Sequence, residues 1–159
     1  YGGSVFVIFA SVYHWYPKIT GRMLNEHLGR LHFLLTFVGF NLCFAPQHWL
    51  GLNGMPRRVA EYDPQFELVN QISSAGALLM AISTLPFLWN VIASAFYGSI
   101  AGDNPWRALT PEWLTTSPPP VENWKGEAPL VTHPYGYGTP ADEIDLRSAS
   151  GSDLWRGGQ

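Results

Sequence analysis

The sequence predicts an all-α membrane protein, with three transmembrane helices followed by a largely irregular C-terminal tail. Three observations predict it. Charged residues make up 13% of the 159-residue chain, against about 25% in a soluble globular protein. The long apolar runs are confined to residues 1–100, while residues 101–159 hold most of the prolines and acids. One run, residues 75–97, carries no charged side chain, and at ~1.5 Å per residue it reaches ~34 Å, enough for a ~30 Å hydrocarbon core.

The elements follow in order. The first apolar run, residues 2–16, is bounded by Pro17 and is short of the roughly 20 residues that a crossing needs. It opens the chain with no initiator Met, no basic leader and no cleavage site, which reads as a truncated start whose upstream residues would complete the span. The second run, residues 31–49, has no formal charge but contains His32, Asn41, Gln47 and His48. The expected spans are about 1–17, 28–50 and 70–98. Pro46 and Pro86 lie inside the second and third, which membrane helices tolerate because neighbours re-satisfy the backbone. Aromatic residues gather at the ends: Tyr13, Trp15 and Tyr16, then Trp49, then Phe96 and Tyr97, as interfacial belts do. A soluble helix would be amphipathic, and these runs are not.

Charge places the connections. The first holds Lys18, Arg22 and Arg30 against Glu26, and the tail adds Arg107 and Lys125. Residues 51–74 mix Arg57 and Arg58 with Glu61, Asp63 and Glu67. The excess of Lys and Arg puts the first connection and the tail in the cytoplasm, with residues 51–74 outside. Residues 101–125 are rich in Pro and Trp, and Pro118, Pro119 and Pro120 favour polyproline II. Residues 126–159 read as an extended or disordered tail. The net charge of −3 gives no basic field for nucleic acid. A single cysteine, Cys43, excludes an intramolecular disulfide.

Among residues that could carry chemistry, Arg57 and Arg58 stand out. They follow Met55-Pro56 in a segment bent by Gly51 and Gly54. Two adjacent guanidinium forks suit carboxylates, or they pair with Glu61, Asp63 or Glu67, or reach lipid phosphates. His27 and His32 are five residues apart, which puts them on different faces of a helix and makes them a poor metal pair. His14, His32 and His48 lie in or beside apolar runs; such groups are functional candidates, or neutral imidazoles that bond across to another helix. Asn41 and Asn90 read as interhelical hydrogen-bond donors. His133 carries no signal. No nucleophile elbow, phosphate loop or catalytic acid pair is present.

The run HWYPKITGRMLNEHLGRLHF (14–33), then FAPQHWLGLNGMPRR (44–58), YDPQF (62–66) and NPWRALTPEWLTTSPPP (104–120) resemble subunit I of the heme–copper oxidases. The resemblance covers residues 1 to about 125 and is similar in its tail to bacterial, cyanobacterial-type members. It implies the last three helices of a twelve-helix core in the bacterial inner membrane or the thylakoid, with the C-terminus cytoplasmic. It implies a parent subunit that reduces O2 to water, with electrons from cytochrome c, and pumps protons. Low-spin heme, high-spin heme and copper are its cofactors, and subunits II and III and the lipid bilayer its partners. A His-Phe-His-Tyr-Val-Leu run in the family precedes the position matching Tyr1, so the iron and copper ligands are expected outside this chain. The histidines here do not replace them, and the isolated chain is expected to be inactive.

Carried over by position, Arg57 and Arg58 would hold the heme propionates, and Val5, Phe6 and Phe9 would line the heme pocket. The quinol oxidases share the layout, but they have Met-Thr-Arg-Arg where this chain has Met55-Pro56-Arg57-Arg58, and they lack Pro46-Gln47-His48. Cytochrome c is therefore the expected donor. The alternatives are a quinol oxidase subunit I fragment and a small three-helix membrane protein acting in assembly.

Overall fold

The computed structural model describes residues 1–108 and 110–124. Three α-helices carry the fold: α1 (Val5–Thr20), α2 (Glu26–Leu52) and α3 (Glu67–Tyr97), with 3-10 turns at Pro64–Phe66 and Pro111–Leu114. The described residues contain no β-strand; one isolated bridge pairs Arg22 with Ile100. Two helical stretches are long and apolar enough to cross a membrane, Glu26–Leu52 and Pro64–Tyr97. The helix α1, with 16 residues, does not reach that length.

The helices overrun the apolar runs that announce them. Pro17 does not end α1, which continues to Thr20. Proline has a helix-compatible φ and removes only one backbone donor. Termination falls to Gly21 at φ 69°, whose N–H bonds Pro17 O at 2.8 Å, a left-handed cap that glycine adopts without a Cβ penalty. The helix α2 starts at Glu26 because the Asn25 side chain accepts from Leu28 N at 3.1 Å, so one of the orphan amides of the first turn is satisfied. The helix α3 begins at Glu67, ahead of its apolar stretch, behind a turn in which Asp63 Oδ1 accepts from Gln65 N.

The described chain forms two compact units. One comprises Gly3–Leu24 with the residues from Tyr97 onward, and the other is Asn25–Phe96. In the second, α2 and α3 pack through small and polar residues. The α2 seam buries His32, Thr36, Gly39, Cys43 and Leu50, and the α3 seam buries Ser73, Gly76, Met80, Ser83, Asn90 and Ser94. These recur at three- and four-residue steps, as one helical face requires. Gly76 lies against the backbone of Leu42 and Cys43, and Gly39 against that of Gly76 and Met80. Close backbone approach then permits hydrogen bonds across the seam. Thr36 and Ser83 hydroxyls meet at 2.8 Å, and Ser73 Oγ donates to Cys43 O at 2.8 Å while accepting from Gln47 Nε2 at 2.9 Å. Small residues and interhelical polar contacts join helices where lipid removes the hydrophobic drive between them.

Asn90 is fully buried. Its side chain accepts from Asn25 N at 2.8 Å and donates to Asn25 O at 2.9 Å, so it ties α3 to the start of α2. Asn41 does otherwise: it donates to Phe37 O of its own helix. Leucines, isoleucines and aromatics such as Leu34, Phe37, Leu78, Leu85 and Trp89 occupy the outer faces. On α3 that distribution, polar inside and apolar outside, suits a hydrocarbon solvent, whereas on α2 the exposed Asn41 and His48 interrupt the apolar outer face.

In the first unit the chain from Gly98 to Asn123 folds against the C-terminal end of α1. Met23 N bonds Ser99 O at 2.8 Å, Ala101 N bonds Gly21 O at 2.9 Å, and Arg22 Nη1 donates to Gly98 O at 2.8 Å. The Ser117–Pro118 peptide is cis. The expected irregular tail at 126–159 lies outside the described residues.

Candidate functional site

The arginine turn occupies residues 53–63 of the second unit. Its first end is fixed by backbone bonds: Asn53 N to Trp49 O at 3.0 Å, Met55 N to Leu50 O at 3.0 Å, and Gly54 at φ 87° between them. The far end is fixed by the Asp63 cap and by Phe66, which is buried. Asn70 Nδ2 contacts Met55 Sδ at 3.5 Å and donates to Phe66 O at 3.0 Å, so it links the two ends.

Arg57 and Arg58 lie between these anchors, both exposed. Arg58 takes φ 58°, a left-handed conformation that costs a non-glycine residue roughly 1–2 kcal/mol. Neither arginine pairs with Glu61, Asp63 or Glu67: among the described residues the only ion pair is Arg30 Nε with Glu26 Oε1, at 3.1 Å. Of the partners expected for the arginines, the local acids are therefore not engaged. Two guanidinium groups on consecutive exposed residues thus have no acid partner among the described residues, a donor set suited to a carboxylate.

Val5, Phe6 and Phe9 stand in the first turns of α1, half-buried. At ~100° per residue they fall within about 100° of one another around the helix. Phe6 meets Tyr1 edge-on at 6.3 Å between centroids. These three belong to the first unit and the arginines to the second.

The histidines are dispersed. His32 is buried against the Phe87 ring at 5.0 Å. His48 is exposed and its Nδ1 contacts Phe44 O at 2.7 Å. His14 stacks on Trp106 at 6.0 Å and meets Trp113 edge-on at 5.2 Å. Among the described residues no three His, Cys, Asp or Glu side chains gather as a metal site.

A second polar centre, at the end of α1, is one that the sequence gives no signal for. Lys18 is buried, with Nζ donating to Thr115 O at 2.7 Å, Asp103 O at 3.0 Å and Thr116 O at 3.4 Å. The same ammonium lies 4.9 Å from the Trp113 ring centroid, within cation–π range. Burial pushes its pKa below the usual lysine range, and the carboxylates of Asp103 and Glu112 oppose the shift. Trp106 Nε1 donates to His14 O at 2.9 Å, and Ser117 N and Oγ both donate to Asp103. Lys18 is thus a clamp on the 98–123 segment, and all its hydrogens are used.

Residues 1–79 match the family model described as cytochrome c and quinol oxidase polypeptide I. The chain is 60% identical over 139 residues to cytochrome c oxidase subunit 1 of Thermostichus vulcanus, covering 87% of this chain and 25% of that protein. It is 54% identical over 145 residues to cytochrome c oxidase subunit 1 of Synechocystis sp., covering 91% and 26%. A probable cytochrome c oxidase subunit 1-beta of Nocardia farcinica is 49% identical over 128 residues, covering 78% and 22%. The chain spans about a quarter of the length of these curated relatives.

Proposed function

Given that this chain belongs to the family of cytochrome c and quinol oxidase polypeptide I, we propose that it works as the C-terminal part of a cytochrome c oxidase catalytic subunit, supplying helical scaffold and the contacts to heme carboxylates. The observation that carries the site-level reading is the open arginine pair: Arg57 and Arg58 are exposed, anchored on both sides and unpaired with the acids beside them. Heme propionates are carboxylates, and adjacent planar forks bind carboxylates bidentately. The residues present therefore fit that end of the cofactor.

When bound, heme and copper in such a subunit carry electrons to O2. The chain's own residues position and tune. Arg57 and Arg58 place positive charge beside the propionates, which stabilises the more electron-rich reduced heme and raises its potential. Val5, Phe6 and Phe9 offer an apolar strip for the macrocycle's face. The iron and copper ligands come from residues outside this chain, and the chain alone has no catalysis. Cytochrome c as donor is supported by the names of the relatives and by Pro46-Gln47-His48 and Met55-Pro56. In this reading α1 belongs to a third crossing, subunits II and III of the oxidase and the lipid bilayer are partners, and the tail faces the cytoplasm of an inner or thylakoid membrane.

The test is Arg57→Gln combined with Arg58→Gln in a full-length subunit. The low-spin heme midpoint potential falls and electron transfer into it slows, because the charge beside the propionates is gone. An unchanged potential and rate refute the assignment.

A further inference from the structure

The outer faces of the two long helices are not alike. Around α3, Leu78, Ile82, Leu85, Trp89, Ile92 and Phe96 recur at steps of four and three residues, all exposed. They make an apolar stripe opposite the seam with α2. On α2 the position opposite the seam is held by Asn41, two residues and ~200° from the buried Gly39. Asn41 is exposed, and it lies near the middle of the charge-free run 31–49. Its Nδ2 is turned back to Phe37 O at 2.8 Å, and no described residue donates to its Oδ1. His48, seven residues on and thus within ~20° of the same line, repeats the arrangement: Nδ1 contacts Phe44 O and the rest of the ring is exposed.

An amide at mid-depth has no partner in hydrocarbon, and polar groups there face protein or a water-filled cavity. Each of the two side chains uses one nitrogen on its own helix, and both residues are exposed at nearly one azimuth with their second polar atom uncommitted among the described residues. The α3 stripe makes no such demand and is satisfied by acyl chains.

We propose that the Asn41–His48 face of α2 is an intramembrane interface covered by another transmembrane helix of the same subunit, which presents a side-chain hydrogen-bond donor to Asn41 Oδ1, and that the back of α3 faces lipid. This rests on the reading of the chain as part of a longer oxidase subunit. The curated relatives are about four times as long as this chain, so a subunit of that length holds helices to cover the face.

The experiment uses the full-length subunit assembled in its own membrane. The photoreactive p-benzoylphenylalanine replaces Phe37, on the Asn41 side of α2, or Trp89, on the α3 stripe; both exchanges put aromatic for aromatic. After irradiation, mass spectrometry shows peptide adducts from elsewhere in the subunit at Phe37 and acyl-chain adducts at Trp89. Acyl adducts at Phe37, or adducts to a second copy of the subunit, overturn the interface. Peptide adducts at Trp89 overturn the lipid assignment. Asn41→Leu gives an independent reading by sign: at a protein interface the complex's melting midpoint falls and Asn41→Gln restores part of it, whereas at a lipid face Asn41→Leu leaves the midpoint unchanged or raises it, which refutes the proposal. Heme content and O2 uptake of the unmodified subunit test the oxidase reading separately. With those normal, lipid adducts at Phe37 sink the interface alone; without them, both fall.

Discussion

Replacing Gly76 with alanine puts a methyl group where the α2 backbone already is. The new Cβ would lie 2.6 Å from Leu42 C and 2.8 Å from Cys43 Cα, and nearer still to Cys43 N, where ordinary contact begins at 3.4 Å. None of these atoms belongs to a flexible side chain, so the helices themselves must part. Taking the Leu42 C approach from 2.6 Å to 3.4 Å moves the backbones apart by at least about 0.8 Å, and the nearer Cys43 N demands more. The Ser73 Oγ to Cys43 O bond, three residues along, then stretches from 2.8 Å to about 3.6 Å or beyond, outside hydrogen-bond range. The Gln47–Ser73 bond at 2.9 Å follows it.

Interhelical hydrogen bonds in membranes average ~0.6 kcal/mol and reach ~1.7, and overpacking a tight contact costs ~1–3 kcal/mol. Gly76→Ala should therefore destabilise the α2–α3 pair by about 3 kcal/mol. Gly39→Ala should cost less, because one of its 2.9 Å contacts is Met80 Cγ, in a side chain that can turn. Gly51→Ala has nothing within 4 Å and should be neutral or slightly stabilising. The assay is reversible unfolding by SDS titration in mixed micelles, with a fluorophore pair at the ends of α2 and α3. A Gly76→Ala midpoint equal to that of Gly51→Ala would refute the close-approach argument.

Other expectations concern the polar centres. Lys18→Met keeps the apolar stem but removes the donor to three carbonyls and the charge over Trp113. At ~1–3 kcal/mol per unsatisfied buried acceptor, offset by release of a desolvated ammonium, the net loss is about 2 kcal/mol. Protease cleavage between residues 101 and 117 should accelerate about thirtyfold, and unaltered cleavage counts against the clamp. Titration of Lys18 has a definite sign. Its folded-state pKa lies below the ordinary value, so across the alkaline interval ending near ~10.4 the unfolded chain binds more protons and this group makes the clamp more stable as pH rises. The neutral amine still donates two hydrogens. Slower cleavage at pH 10 than at pH 8, abolished in Lys18→Met, is the expected result. Asn90→Leu strips the start of α2 of both main-chain partners at Asn25, a loss of about 2–3 kcal/mol; hydrogen exchange at the Leu28 amide should quicken, and native protection there would contradict the role given to Asn90.

The two long helices are legible because an uninterrupted apolar run has few other folds. Their ends are less so. The stretch 67–74 mixes Glu67, Asn70, Gln71, Ser73 and Ser74 with exposed Leu68 and Ile72, so its sequence marks no clear helix start, yet it belongs to α3 and offers Ser73 to the seam. Pro17 marks a boundary in the sequence that the helix ignores, because a proline lacks a donor but fits helical φ. The arginine pair is visible from the glycines and proline that bend its segment. The fact that it spurns its neighbouring acids is a matter of side-chain direction, which spacing does not encode. Lys18 is hidden for a different reason: a lysine reads as solvated, and the carbonyls that hold it are 85 to 98 residues away.

That clamp grips main-chain oxygens. The carbonyls of Asp103, Thr115 and Thr116 would be offered equally by any residues that keep the same backbone path. A fastening of this kind places its hydrogen-bonding demand on one side chain, while the segment it holds adds the Trp113 ring under the ammonium and the Trp106 bond to His14 O. The positions that offer only a carbonyl, such as Thr115 and Thr116, can drift in sequence as long as the backbone path is kept, while the lysine that closes the clamp cannot.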